Sequence, residues 1–267
     1  MLPHVQRSWI GKAHIIGQTL TPSYFRPGKL HQDDGVTSHH SFDDGKEEWV
    51  LIDGTPASCV QIGLWHLYRE REPVDLVISG PNYGRNTTAL FSLSSGTVGG
   101  ALEAAVCGRK AIALSYAFES REHDPEIIAA ASKVSQRLIE KLAKEWPEDV
   151  HLYSVNVPLR KNVANAKIMY TDMLQNRWTT GSSFEEVEVD EDVDPAEQEK
   201  DFREGERSGM NGEAKVTLTR RKQKKFKWAP RFTDVHESVK AAGPGNDGWA
   251  IKEGIVRYVL DSWIAEK

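Results

Sequence analysis

Apolar and polar positions divide the chain into two regimes. Over the first 160 residues, short apolar runs alternate with segments of helical period. Val74–Ser79 (VDLVIS), Ala111–Ser115 (AIALS) and Leu152–Val157 (LYSVNV) are near-continuous apolar runs, the pattern of strands covered on both faces. Between and around them the spacing predicts helices over about 56–68, 97–107 and 125–145. The last opens with Asp124 as N-cap and Pro125 at the first helical position. Its Ile127, Ala131, Val134, Leu138 and Leu142 then mark one face at intervals of three and four. The first opens with Gly54-Thr55-Pro56, a hydroxyl cap followed by proline, and turns Val60, Leu64 and Leu67 inward. Leu2-Pro3 reads as a strand stub. Strand–helix–strand alternation of this kind builds a parallel sheet with helices on its faces.

After Gln175 the pattern breaks. Residues 185–206 hold twelve acidic side chains against Lys200 and Arg203, with few apolar positions, as expected of a solvated loop. Thr217–Lys227 (TLTRRKQKKFK) then crowds Arg220, Arg221, Lys222, Lys224, Lys225 and Lys227 together. Such a run is either a nucleic-acid patch or a basic β-arm lying near its own acidic loop. The thin aromatic interleaving (Phe226, Trp228) favours the arm. The tail GWAIKEGIVRYVLDSW returns to apolar alternation and is expected to pack back onto the core. The organisation expected is an α/β core over 1–175, an acidic flexible loop over 176–214, and a C-terminal β-arm with return to the core over 215–267.

Composition narrows the partners. With 34 basic and 39 acidic residues the net charge is −5 and the pI near 6.0, which gives no global attraction to nucleic acid or anionic membrane. No apolar run reaches the roughly 18 residues needed to span a bilayer. MLPHVQRSWIGKAH lacks the layout of a signal peptide, and a cytoplasmic protein is expected. Cys59 and Cys107 both sit in apolar stretches, as expected of reduced thiols rather than a disulfide.

Two stretches could carry chemistry. Ser94-Ser95-Gly96-Thr97 leads into the helix TVGGALEAA, where free backbone N–H groups and the positive dipole end suit a phosphate. A plain Ser/Thr N-cap explains the same residues. One loop upstream, SGPNYGRN (79–86) puts Asn82 and Asn86 at the end of a strand. Asparagine oxygens suit Mg²⁺, Mn²⁺ or Ca²⁺ and the amide can donate to phosphate, while two Asx-turns would shape the loop equally well. Ligands of open α/β sheets bind beyond the strands' carboxyl ends, where both stretches would converge. There is no G-x-G-x-x-G after a strand, no P-loop and no G-x-S-x-G elbow, and the nine histidines show no metal-ligand spacing.

Six blocks, QRSWIGKAH (6–14), DGTPASCV (53–60), VDLVISGPNYGRN (74–86), SSGTVGGALEAAVCGRKAIALS (94–115), SVNVP (154–158) and GNDGWAIKEGIVRYVL (245–260), together resemble the SurE family. These are metal-dependent nucleoside monophosphatases that also hydrolyse other phosphomonoesters. The SWIGKAH form looks like the fungal branch, some of whose members carry a fused tubulin–tyrosine-ligase-like domain, which is not expected within these 267 residues. The resemblance implies a three-layer Rossmann-like α/β fold with a β-rich C-terminal extension, and a homodimer or tetramer. It implies that Ser8 and Asn82 belong to the Mg²⁺ or Mn²⁺ site. Asn86, Ser95, Gly96 and Thr97 would then receive the phosphate, with Asn86 and Ser95 at the catalytic centre and a nucleotide as the small-molecule partner.

One departure has chemical weight. The family's first strand ends in Asn-Asp-Asp-Gly, and no such strand stands ahead of Leu2-Pro3. Asp33-Asp34-Gly35 and Asp43-Asp44-Gly45 imitate the motif, but neither follows an apolar strand. A chain without the paired carboxylates is expected to hold the metal weakly, to hydrolyse esters poorly, and to be prone to aggregation at the uncovered sheet edge.

Overall fold

The computed structural model describes residues 1–29, 34–118, 124–187 and 225–261. The core is a five-stranded sheet of β5 (Leu76–Tyr83), β6 (Lys110–Ala117), β7 (Leu152–Pro158), β8 (Ile168–Tyr170) and β11 (Val256–Asp261), in the order β5-β6-β7-β11-β8. β5, β6 and β7 run parallel; β11 enters antiparallel to β7 and parallel to β8. A second sheet, β1-β4-β2-β3, is formed by β1 (Leu2–Pro3), β2 (Pro22–Arg26), β3 (Val36–Ser38) and β4 (Trp49–Ile52), with β1 and β4 parallel.

The apolar run of β6 is buried from Ala111 to Ala117 because a helix covers each face. Ala111 and Ala113 face Val98, Ala101 and Ala104 of α3 (Gly96–Val106). Ile112, Leu114 and Tyr116 alternate to the other side, against Ala131, Val134 and Leu138 of α4 (Pro125–Lys144). Asp124 caps α4 by accepting from Glu126 N at 2.9 Å, as its position ahead of Pro125 implies.

Local differences from the expectation have physical causes. β5 is a terminal strand with Ile78 42% exposed, so it is not covered on both faces as its apolar run suggests. SGPNY does not turn; it continues β5 to Tyr83 through an irregularity between Ser79 and Asn82 that contains the cis Gly80–Pro81 bond. Residues 88–94 form a further helix, α2 (Thr88–Ser94), entered through Thr88 at φ +66°. The helix at Pro56 is α1 (Pro56–Ile62), which loosens into a π turn over Gly63–Leu67. That change of period carries Leu67 out to 38% exposure, whereas Val60 and Leu64 stay half-buried.

β1 and β5 each end a sheet, yet the helix layer above them is continuous. α1 packs on β1 and on α3, and α3 packs on β5 and β6. The closing segment does return to the core. α5 (Thr233–Ala241) and α6 (Asp247–Lys252) lead into β11. Of the basic arm, β10 (Lys225–Trp228) pairs antiparallel with β9 (Phe184–Val187), setting Lys227 opposite Glu185. Arg220, Arg221, Lys222, Lys224 and most of the acidic loop lie outside the described residues.

Candidate functional site

α3 is the crossover between parallel β5 and β6, so it runs antiparallel to both and starts above the carboxyl end of β5. Ser95 caps it: its Oγ accepts from Val98 N at 3.2 Å and its carbonyl from Gly99 N at 2.9 Å. The N–H groups of Gly96 and Thr97 are left without a hydrogen-bond partner among the described residues and point out of the helix start. Ser95 is 8% exposed, so its hydroxyl serves as a cap while the neighbouring N–H groups form the open edge.

The segment carrying Ser8 lies on the same first turn. A side chain at Gly96 would meet the Arg7 carbonyl oxygen at 3.1 Å, and Gly11 N donates to Ser94 O at 2.9 Å. Arg7 is tied to Asp53 at 2.5 Å, and Gln6 Nε2 donates to Ser8 Oγ at 3.1 Å. Farther along, Lys12 Nζ reaches Glu103 Oε2 at 2.6 Å, while His14 Nδ1 lies 3.0 Å from Ser58 Oγ. Thr55 caps α1 by accepting from Ser58 N and donates to Ala13 O. Glu103, 2% exposed on α3, also accepts from Gln61 Nε2 at 2.5 Å. Burial pushes its carboxyl up, but the hydrogen bonds from Lys12 and Gln61, with the charges of Lys12 and His14, outweigh that and leave it below the usual range. Glu103 thus stakes the Ser8 segment to α3.

Asn82 pairs in register with Ser115 of β6 and donates from Nδ2 to Gly84 O at 3.0 Å. Asn86 is 6% exposed and held on several sides. Its N donates to Asn156 Oδ1 at 2.8 Å and its Nδ2 to Ser115 Oγ at 2.7 Å. Its carbonyl accepts from Ser92 Oγ at 3.0 Å and from Arg257 Nη2 at 2.6 Å. Arg257, fully buried, lies 3.8 Å from Asp247 Oδ2, and Asp247 also accepts from Thr88 N at 2.7 Å and Leu174 N at 2.9 Å.

The structure therefore brings the Ser8 segment to Ser95, Gly96 and Thr97 at the start of α3, while Asn82 stands at the end of β5 beside Ser115 and Asn86 anchors the turn that follows. Ser8 and Asn82 do not by themselves fit a Mg²⁺ or Mn²⁺ ion. Both offer neutral oxygens, and no group of three His, Cys, Asp or Glu side chains that could hold a metal occurs among the described residues. The imitation motifs lie elsewhere: Asp44 is engaged with Arg26 at 2.6 Å, Asp34 accepts from Lys29 N, and Asp33 is outside the described residues. Sequence reasoning missed Lys12, Glu103, Asn156, Asp247 and Arg257. A signal for two of them was present, since Glu103 and Arg257 are single charges inside apolar runs.

The family model described as Survival protein SurE matches residues 1–180. The chain belongs to the SurE family. Over 261 residues it is 36% identical to a probable tubulin–tyrosine ligase, PBY1, from Saccharomyces cerevisiae, covering 89% of this chain and 32% of that protein. It is 38% identical over 126 residues to a 5'-nucleotidase SurE from Campylobacter jejuni subsp. doylei, covering 46% of this chain and 48% of the relative. A 5'-nucleotidase SurE from Methanocella arvoryzae is 43% identical over 115 residues, with 40% of this chain and 42% of the relative covered. The chain thus spans about a third to a half of the length of these relatives. The yeast relative agrees with the fungal character of SWIGKAH. The crystal structure of SurE from Aquifex aeolicus superposes with a TM-score of 0.58 at 22% identity, over 95% of this chain and 77% of that one. The Rossmann-like α/β fold is the family's own. No single described helix is long and apolar enough to cross a membrane.

Proposed function

We propose that this chain carries the phosphate-receiving half of a SurE-type phosphomonoesterase site whose substrate is a nucleoside monophosphate. The observation that carries the reading is the start of α3, where the N–H groups of Gly96 and Thr97 stay open above the carboxyl end of β5. Two backbone donors and the positive end of an eleven-residue helix would hold two phosphate oxygens. Ser95 keeps the first turn rigid, and Asn86 fixes the height of the turn beside it. Asn82 and Ser8 are the neutral part of the Mg²⁺ or Mn²⁺ site that the family resemblance implies, and without carboxylates they would hold such an ion weakly. Such an ion, when bound, supplies charge neutralisation for the transferring phosphoryl group. Function in the cytoplasm, and assembly as a homodimer or tetramer, belong to the same reading.

A second reading, a non-catalytic anion-binding module, is favoured by the missing cluster of metal-ligating side chains among the described residues. One experiment separates them. The purified chain is given nucleoside 5'- and 3'-monophosphates with Mn²⁺ or Mg²⁺, and phosphate release and nucleotide binding are both measured. Binding without turnover at about 1 s⁻¹ or more supports the module. Turnover above that rate establishes the phosphatase. Failure to bind any monophosphate, or binding indifferent to Thr97→Pro, removes both.

A further inference from the structure

Two residues of the loop that carries Ser8 hold left-handed backbone: Trp9 at φ +59° and Gly11 at φ +61°. Glycine takes that region as readily as any other, so Gly11 needs no further cause. Tryptophan does. A bulky L-residue adopts it about tenfold less readily than glycine and keeps it only where its surroundings over-determine it. The surroundings of Trp9 are aromatic. Its ring stands edge-on to Phe91, with centroids 5.8 Å apart, and to Trp228 at 4.8 Å, and lies tilted 5.8 Å from Phe232. Phe91 and Phe232 are buried, and with Val235 they form an apolar cluster on which Trp9 packs.

The three rings come from distant parts of the chain. Phe91 belongs to α2, just ahead of α3, whereas Trp228 ends β10 and Phe232 precedes α5. The backbone on either side of Trp9 lies on α3. A side chain at Gly96 would meet both the Arg7 carbonyl and Ile10, and Gly11 N donates to Ser94 O at 2.9 Å. Ser8 and Trp9 thus form a short arch over the first turn of α3, and its shape depends on the φ of Trp9. Two of the three rings that hold this φ lie in the C-terminal segment. Without them Trp9 can relax to negative φ. That rotation turns Ser8 relative to Gly11, so the two cannot both stay seated on α3.

We propose that Trp9 is a positioning residue, through which docking of residues 228–232 sets Ser8 at the start of α3. The inference rests on the phosphate site proposed above and adds what governs it: the arch is seated only while the C-terminal segment is in place. By linkage, a phosphate held beside Gly96 and Thr97 tightens the hold on that segment in turn.

Hydrogen exchange at the Gly11 amide of the whole chain reads the arch without a ligand, because its bond to Ser94 O requires the seated form. Trp228→Ala, at a half-buried position, is expected to speed that exchange, and to weaken nucleoside monophosphate binding, by about three- to tenfold. Trp228→Phe keeps a ring and is expected to restore both to within about twofold of the parent. Trp9→Gly takes the left-handed region unaided, while Arg7 with Asp53 and Lys12 with Glu103 still tie the arch. In that background Trp228→Ala should move neither reading by more than about twofold, an insensitivity that a merely structural tryptophan would not produce. Unchanged Gly11 exchange in Trp228→Ala overturns the proposal. So does an equal acceleration in the Trp9→Gly background, because the C-terminal segment would then act without Trp9. A parent chain that binds no monophosphate sinks the phosphate site alone, since the exchange measurements decide the coupling without it.

Discussion

Gly99→Ala and Gly100→Ala form a matched pair that tests how the Ser8 segment is seated. Both residues lie in the interior of α3, where alanine in place of glycine favours the helix by about 0.8–1 kcal/mol. Their surroundings differ in kind. A Cβ at Gly99 would fall within 2.8 Å of Lys12 N and closer still to the Gly11 carbonyl, all of it backbone. A Cβ at Gly100 would meet chiefly the Ser79 hydroxyl at 2.7 Å, a group that can rotate away. Ordinary contact begins near 3.4 Å, so Gly99→Ala must drive the Gly11–Lys12 backbone off α3 by more than half an ångström. Overpacking of this sort costs about 1–3 kcal/mol, and Glu103 holds Lys12 at 2.6 Å against the movement. After the helix gain, Gly99→Ala is expected to lose about 1–2 kcal/mol or more, and Gly100→Ala to fall within about 0.5 kcal/mol of the parent. Urea unfolding followed by tryptophan fluorescence reads both, and nucleotide binding reads the displacement of Ser8. Equal midpoints for the two variants, or a stabilised Gly99→Ala, would refute the seating described here.

Asp247→Asn leaves one acceptor oxygen for the two N–H groups of Thr88 and Leu174 and removes the negative charge beside Arg257. A loss of about 2–4 kcal/mol in urea is expected, and an unchanged midpoint sinks the account of Asp247 as the hub of that network. The carboxyls of Glu103 and Asp234 both titrate below their usual range: burial raises each, and hydrogen bonds (from Lys12 and Gln61, and from Thr179 and Thr180) more than compensate. Folding therefore releases protons from them, so their stabilisation is present above the unfolded carboxylate range near pH 4 and is lost as pH falls below it. Melting temperatures should drop between about pH 5 and 3, less steeply in Glu103→Gln, and a flat profile contradicts the assignment. Burial pushes the Cys59 thiol up to about 11, whereas Cys107 is partly exposed. Iodoacetamide at pH 8 should label Cys107 in the native protein and both thiols in urea; Cys59 reacting first would be the contrary result.

The parts legible in the sequence are those set by local period. The faces of α4, the alternation of β6 between α3 and α4, and the caps Thr55 and Asp124 all depend on neighbours within a few residues. The start of α3 was legible for the same reason, since a hydroxyl before a glycine-rich helix is a local signal. What escaped depends on partners far along the chain. Arg257 lies in an alternating strand, GIVRYVL, where a charged residue normally marks the solvent side. Its burial is set by Asp247 and by the carbonyl of Asn86, 171 residues away. α2 escaped because it is entered through a left-handed β-branched residue, a conformation imposed by Asp247 rather than preferred by Thr88. The exposure of Ile78 reflects sheet order, which apolar runs do not encode.

The placement of β11 makes the order of synthesis matter. As the ribosome delivers the chain, β5, β6, β7 and the helices between them emerge first and can assemble by crossovers of short range. The turn at Asn86 then waits, its carbonyl unmet by Arg257, until the strand slides in beside β7. A nascent chain halted before residue 257 would own every residue proposed to touch phosphate and still lack the brace that holds them level. The pocket is thus tied to the arrival of β11: a stop ahead of residue 257 should silence a site whose proposed contacts all lie within the first hundred residues.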